Sequence, residues 1–226
     1  DKHWAIERHQ RSAIMRGLES CLDDDIILIG DTDEIPNAEA IKKYQTSMGM
    51  ACLEMKLYYG YMNLEGYEPW RWTRMLTYEM LKGMGPQAPC VARYNWGSIN
   101  PNYREVIPNG GWHFSFMGGP DEWVRKLEAT PHQEYNLPEF KDKALMKERA
   151  LNGMDILGRG IKYHFVEVVE SFPKFVREHI SRFRANQFLC EEKMHPESWQ
   201  FIAKVKAEHP EFFSGKSVLE VGSLNI

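Results

Sequence analysis

The chain has 226 residues, of which 43% are hydrophobic and 27% are charged, so it is long enough to bury a substantial core. No apolar run approaches the ~20 residues that a membrane-spanning helix needs, which predicts no membrane span and a cytoplasmic protein. The formal net charge of −4 gives no general attraction to nucleic acid, whose binders usually carry a basic face. We therefore expect no nucleic-acid partner.

The first thirty residues predict a helix that leads into a short strand. Over residues 3–18, apolar side chains recur at roughly helical spacing with charged ones between them. Residues 26–29, IILI, are a continuous apolar run bounded by three aspartates and Gly30, which is typical of a strand buried on both faces. An open α/β sheet normally binds its ligand at the carboxyl ends of its strands. We therefore expect a ligand site directly after residue 29.

Three carboxylates, Asp31, Asp33 and Glu34, follow this strand, and Pro36 then turns the chain out of the sheet. In extended backbone, side chains two residues apart lie on one face, so Asp31 and Asp33 are placed to hold a hard cation such as Mg²⁺ or Mn²⁺. Such a cation keeps open positions for phosphate oxygens, which suits a nucleotide diphosphate. The alternative interpretation is a solvated acidic turn.

The rest of the chain alternates between helical and strand-like patterns. A strand is predicted within residues 50–62, and the glycine-flanked run at 109–119, NGGWHFSFMGG, reads as a strand end. The spacing of apolar residues predicts four further helices, over residues 38–44, 121–129, 140–151 and 172–188.

A change of character after about residue 190 predicts a domain boundary. Residues 191–215 are charged and mostly helical in pattern, as in a linker, and residues 216–226 have the form of a first strand with a glycine turn. The ending SVLEVGSLNI resembles the opening motif of a methyltransferase that uses S-adenosylmethionine, with Glu220 and Gly222 at matching positions. The resemblance implies a cofactor site in a truncated second domain, and a generic strand with a glycine turn is the alternative.

Four segments in order, ERHQRSAIMRGL, DDDIILIGDTDEIP, NGGWHFSFMGG and HQEYN, resemble the glycosyltransferase family of β-1,4-mannosyl-glycoprotein 4-β-N-acetylglucosaminyltransferase, with its bacterial and viral members. The resemblance covers about residues 1–190. It implies an α/β, Rossmann-like GT-A catalytic domain, here lacking its N-terminal nucleotide-binding strands. It also implies Mn²⁺ or Mg²⁺, a UDP-sugar donor, and transfer of a sugar such as N-acetylglucosamine to a glycan hydroxyl with inversion.

The resemblance also implies roles for the acidic residues. Asp33 is the first candidate for the metal ligand, and Asp31 shares the metal or lies near the ribose. His113 is a third ligand or a diphosphate contact, with a core histidine as the competing interpretation. Glu34 does not bind the metal itself and orients either of the two aspartates. The metal neutralises charge on the departing diphosphate while one carboxylate takes the proton of the acceptor hydroxyl.

Glu134, in the HQEYN segment, is the candidate general base under this resemblance, and His132 is its rival. An exposed loop glutamate is the competing interpretation. Further contacts to the donor are expected from Arg8, Arg11, Trp112 and Gly111. Arg8 and Arg11 share a helix face and are also placed to pair with the acidic strand end, or to be solvated surface arginines.

Two other classes of function remain open from the sequence. One is a metal-dependent phosphoryl-transfer enzyme or nuclease, because clustered carboxylates also hold metals in such sites, often with a second acidic cluster nearby. The other is a non-catalytic carbohydrate-binding module, which agrees with seven Trp and ten Tyr but gives no reason for D-T-D-E at a strand end.

Overall fold

The computed structural model describes residues 2–94 and 105–190, which contain seven strands packed with helices in a mixed α/β arrangement. The predicted linker, the predicted final strand, Glu220 and Gly222 lie outside the described residues. The strands are β1 (Ile26–Ile29), β2 (Glu34–Pro36), β3 (Ala51–Tyr59), β4 (Leu64–Gly66), β5 (Arg74–Thr77), β6 (Glu105–Ser115) and β7 (Tyr163–Phe165).

Eight α-helices and four short 3₁₀ helices accompany the described strands. The α-helices are α1 (Lys2–Ser12), α2 (Ala38–Ile41), α3 (Tyr78–Gly83), α4 (Ala88–Tyr94), α5 (Gly119–Ala129), α6 (Lys143–Leu151), α7 (Lys174–Glu178) and α8 (Ile180–Ala185). The 3₁₀ helices are Ala13–Leu18, Thr46–Met48, Gln133–Tyr135 and Pro138–Phe140. Side chains cap several of these helices; Asn37 accepts from the backbone of α2, and Asp142 from that of α6.

The seven strands form one sheet built around β3. Strands β5 and β4 pair with β3 in antiparallel fashion, β6 pairs with it in parallel, and the order along the main path is β1-β5-β3-β4-β7. Strand β2 joins through β6. Among the described strands, β3 and β6 pair in parallel and the other pairs are antiparallel, so the sheet is mixed rather than uniformly parallel.

Strand β1 is fully buried on one face and only partly on the other, where Leu28 packs on a second core cluster, so the expectation of burial on both faces is met only in part. Ile27 and Ile29 are buried, whereas Ile26 is exposed and Leu28 is half-buried. The strand lies at the end of the sheet order and is antiparallel to β5, and α3 and α4 cover its inner face. An alternating pattern of this kind is what a strand in an antiparallel pair normally shows.

Pro36 ends a strand and the chain then leaves the sheet for α2, as predicted, but the strand that it ends already includes Glu34. Residues Glu34–Pro36 form β2 and pair with β6, with Pro36 opposite Gly111. The two strands approach so closely at Gly111 that a Cβ there would lie 2.1 Å from the carbonyl oxygen of Ile35. Only glycine is compatible with this contact and with the positive φ of 141° at this position.

The predicted helices are present, with four changes. The first helix ends at Ser12 and continues as the 3₁₀ helix Ala13–Leu18. The helix predicted over residues 38–44 ends at Ile41. The helix predicted from residue 140 starts later, at Lys143, where Asp142 caps it. The helix predicted over residues 172–188 is broken at His179 into α7 and α8.

Two pairs of helices cover the core at the two ends of the sheet. Helices α3 and α4 pack on β1 and β5, through buried residues that include Leu76, Leu81 and Ala92. Helices α5 and α6 pack on the other end of the sheet through Trp123 and Met146. The loop between β1 and β2 therefore lies at an edge that α1, α4 and α5 all reach with side chains.

Candidate functional site

The acid turn, defined as Asp31, Asp33 and Glu34, is not extended. Residues 31–34 close a turn in which the backbone N–H of Glu34 donates to the carbonyl oxygen of Asp31 at 3.0 Å. The prediction that Asp31 and Asp33 share one face of extended backbone is therefore wrong, because the ladder with β5 stops at Ile29 and the chain must reverse before β2. The two aspartates instead contact different partners.

Asp31 lies between two arginines from different helices. Arg11 of α1 contacts Oδ1 at 2.7 Å, and Arg93 of α4 donates to Oδ2 at 2.5 Å. Arg11 is held in place because its Nε also donates to Glu7 at 2.9 Å. The predicted pairing of Arg11 with the acidic strand end is thus present, whereas Arg8 is exposed.

Asp33 is the acid that faces α5 and β6. Lys126 of α5 donates to Oδ2 at 2.9 Å, and His113 Nε2 lies 3.4 Å from Oδ1. Burial by itself raises the pKa of Asp33, but the bonds and charges of His113 and Lys126 outweigh it and hold that pKa well below its usual range. The carboxylate is therefore ionised at neutral pH, and its side chain keeps 28% of its surface exposed.

Glu34 is buried and fully bonded. Its carboxylate accepts from Trp70 Nε1 at 2.7 Å, from Thr73 Oγ1 at 2.6 Å and from both terminal nitrogens of Arg93. It also accepts from the backbone N–H of Asp31 at 3.2 Å. Burial raises the pKa of Glu34, yet these donors, Arg93 first, lower it below the usual value. Glu34 thus fixes the turn that carries the two partly exposed acids, Asp31 and Asp33.

His113 reaches the acid turn from β6, where it lies opposite Glu34 in the β2–β6 pairing. The imidazole is buried, and its ring centroid lies 4.2 Å from that of Trp70. Within the described residues, its Nδ1 has no hydrogen-bond partner. The competing interpretation, a core histidine bonded to backbone, accounts for the burial but not for this unpaired nitrogen.

The three predicted metal ligands do not converge as a group. Within residues 2–94 and 105–190, no set of three or more His, Cys, Asp or Glu side chains is placed to hold one ion. Asp33 and His113 meet, whereas Asp31 is turned toward Arg11 and Arg93.

Gly111 and Trp112 have packing roles beside the site. The absence of a side chain at Gly111 lets β2 approach β6. Trp112 donates from Nε1 to the carbonyl oxygen of Ser171 at 2.7 Å and packs on the cluster that contains Tyr58 and Phe172. Their predicted contacts to a sugar-nucleotide stay predictions.

Glu134 lies in the 3₁₀ helix Gln133–Tyr135, not in the acid turn. Its carboxylate contacts Nδ1 of His132 at 2.7 Å, and both side chains are about half exposed. The imidazole of His132 packs edge-on against Trp4 of α1 at 4.8 Å between ring centroids. The two rival candidates for the general base are therefore hydrogen-bonded to each other.

Sequence reasoning missed four residues that build the acid turn: Arg93, Thr73, Lys126 and, in its bond to Glu34, Trp70. Arg93 had a visible signal, since it is a lone charge in the otherwise apolar helix APCVARY. Its side chain is 2% exposed, and a buried arginine normally requires acidic partners. The other three have no local signal, because they lie between 36 and 93 residues from the acids that they contact.

The fold and this site define a mixed α/β protein with an ion-paired acidic turn at a sheet edge. The chain matches no protein-family model, no curated protein and no solved structure. None of the helices in the described part of the chain is both long enough and apolar enough to cross a membrane.

Proposed function

We propose that the chain is the catalytic part of a metal-dependent inverting glycosyltransferase. It moves a sugar, N-acetylglucosamine as the first candidate, from a UDP-sugar to a hydroxyl of a glycan acceptor. In this proposal the mixed α/β domain is a GT-A-like domain, and the acid turn binds the metal beneath the donor diphosphate.

The approach of Asp33 to His113 carries the proposal. A carboxylate oxygen and an imidazole nitrogen, 80 residues apart in sequence, lie 3.4 Å from each other, which is long for a hydrogen bond. Both are common metal-binding groups. Nε2 is the imidazole nitrogen that faces Asp33, whereas the buried Nδ1 has no hydrogen-bond partner in the described structure. Two protein ligands also suffice for an ion that takes its other ligands from substrate phosphates and water.

The residues present fit a divalent cation with oxygen and nitrogen ligands. Asp33 and His113 would hold it, and the imidazole favours Mn²⁺ over Mg²⁺, because Mg²⁺ prefers oxygen ligands alone. When bound, the ion supplies charge neutralisation on the diphosphate. The low pKa of Asp33 means that no proton has to leave this carboxylate before a cation binds at neutral pH.

The cations around the acid turn have a second role in this proposal. Lys126 is 40% exposed, so its side chain can leave Asp33 and reach a phosphate oxygen without unfolding α5. Arg11 presents a planar guanidinium at the same edge, a group that binds phosphate well. Arg93 is buried and stays with Glu34.

The proposal is tested by Mn²⁺-dependent hydrolysis of a panel of UDP-sugars, using this chain and the longest reading frame that contains it. We expect metal-dependent turnover that Asp33→Ala abolishes. Asp121→Ala is the matched control, because Asp121 is an exposed aspartate on α5 that pairs only at the surface, with Lys143. Turnover in Asp33→Ala equal to that of the wild type contradicts the proposal. Glycan binding that is indifferent to UDP and to chelators favours a carbohydrate-binding module instead.

A further inference from the structure

His132 and Glu134 form a hydrogen-bonded pair outside the acid turn. Nδ1 of His132 lies 2.7 Å from Oε1 of Glu134. A carboxylate only accepts hydrogen bonds when ionised, so Nδ1 is the nitrogen that donates. The lone pair of the neutral imidazole then lies on Nε2, and the side chain is about half exposed. The pair therefore places a basic nitrogen, oriented by a carboxylate, on a half-exposed side chain.

Two helices connect this pair to the acid turn. On α1, Trp4 packs against His132 and Arg11 contacts Asp31, and the two residues are seven apart and so lie on one helix face. The rise of 1.5 Å per residue separates them by about 10 Å along the axis. On α5, Lys126 contacts Asp33, and the chain leaves that helix at Ala129, three residues before His132. The pair and the acid turn are therefore joined through the same two helices, α1 and α5.

We propose that His132 is the general base of the transfer reaction and that Glu134 is its positioning residue; this inference rests on the proposed function. The assignment reverses the roles that the sequence suggested. Nε2 of His132 takes the proton from the acceptor hydroxyl as its oxygen bonds to the anomeric carbon of the donor. The bond between that carbon and the diphosphate oxygen breaks, and its electron pair leaves with UDP. The proton is later released to water.

The chemistry of Glu134 supports this division of roles. Its hydrogen bond with His132 lowers the pKa of the Glu134 carboxyl, which makes that carboxylate a weaker base. Imidazole side chains in general have the basicity that suits proton transfer near neutral pH. An ionised carboxylate behind the ring also stabilises the imidazolium that forms when the proton arrives.

The test compares steady-state transfer by His132→Ala, Glu134→Gln and the control His9→Ala. Each variant is made in the longest reading frame that contains the chain, and it is assayed with Mn²⁺ and the UDP-sugar that the wild type turns over. His132→Ala should lower kcat by about 10²- to 10⁴-fold and leave KM for the UDP-sugar within about twofold. Added imidazole should restore part of this loss. Glu134→Gln, which keeps an acceptor for Nδ1 but removes the charge, should lower kcat by about tenfold. His9 is an exposed histidine on α1, and its substitution should change neither constant.

The outcomes separate this inference from the proposed function. A kcat for His132→Ala equal to that of the wild type overturns the base assignment, while turnover that still depends on Asp33 leaves the glycosyltransferase proposal intact. A loss of activity that imidazole does not restore, or that appears in KM alone, shows a structural role for His132 and also overturns the assignment. If the wild type turns over no UDP-sugar with metal, the proposed function and this inference fail together.

Discussion

Two groups of ionised side chains in this protein differ in how they are built. The acid turn draws its partners from α1, α4, α5, β6 and the β4–β5 region. The second group, the Asp155 node, consists of Asp155 and Arg159, which lie four residues apart in the loop that follows α6. One is assembled by the fold as a whole and the other by a local segment.

In the Asp155 node, the acid and the base are paired with each other. Asp155 accepts from Arg159 at three points: Nη2 at 2.7 Å, Nε at 3.0 Å and the backbone N–H at 2.9 Å. The carboxylate is fully buried, and the guanidinium lies over the ring of Tyr59 at 5.7 Å. All of these contacts hold a loop onto the aromatic core, and they leave no open acid at the surface.

The acid turn, by comparison, has partly exposed acids and, in the part of the chain that the structure describes, unpaired nitrogens. Asp31 and Asp33 keep 37% and 28% of their side-chain surface exposed, and within the described residues two buried nitrogens beside them, Arg93 Nε and His113 Nδ1, have no hydrogen-bond partner. Buried polar atoms are normally paired, and exceptions call for an explanation such as an absent ion or ligand. The comparison agrees with the proposal, in which the Asp155 node serves stability and the acid turn also binds a metal.

Removing Glu34 should have the largest effect on stability. Glu34→Ala takes away a carboxylate with four partners and leaves Arg93 buried with only Asp31 to neutralise it. Breaking a buried ion pair in this way costs about 3–5 kcal/mol in the free energy of unfolding. Urea denaturation measures the change, and Glu39→Ala, at an exposed pair with Lys42, is the control. A loss below about 1 kcal/mol would show that Glu34 does not hold the turn together.

Asp155→Asn should rank second. It leaves Arg159 without its charged partner, but the guanidinium is one-third exposed, so water compensates part of the loss. We expect about 2 kcal/mol of destabilisation in urea denaturation. Mn²⁺ affinity should be unchanged, because the node contributes nothing to the acid turn. Weaker metal binding in this variant would remove the distinction between the two groups.

Acid should weaken the protein through the acid turn. The pKa values of Asp33 and Glu34 are lowered in the folded state, so their contribution is fully present above the unfolded values of 3.8 and 4.5 and is lost as pH falls toward the folded values. Below about pH 4.5 the free energy of unfolding should fall with a slope of up to about 1.4 kcal/mol per pH unit for each acid. Chemical denaturation across pH 2.5–7 should show a shallower slope in Glu34→Gln. An equal slope in Glu34→Gln and in the wild type would show that the Glu34 carboxylate does not contribute to this loss of stability.

The two arginines of α1 should differ by a smaller amount. Arg11→Ala removes bonds to Glu7 and Asp31 at a partly exposed site and should cost about 1 kcal/mol. Arg8→Ala removes an exposed side chain and should stay within about 0.5 kcal/mol. Thermal unfolding of both variants measures the difference. Equal losses would mean that the contact of Arg11 with the acid turn adds nothing to stability.

The same contrast explains what the sequence could predict. The strand at residues 26–29 and the helix that starts near Asp121 were predicted, because each depends on a local pattern of apolar and polar residues. The partners of Glu34 were not, since Trp70, Thr73 and Arg93 reach it only when β5 lies between β1 and β3. The break at His179 has no glycine or proline to mark it, so periodicity alone predicted one helix there.

The most direct test of the account is the affinity of the protein for Mn²⁺ in the presence of UDP, measured by isothermal titration calorimetry. Asp33→Ala should weaken that affinity by at least about tenfold, since it removes the ionised ligand, while Asp121→Ala should bind as the wild type does. Equal affinity in the wild type and Asp33→Ala would contradict the claim that the acid turn is a metal site.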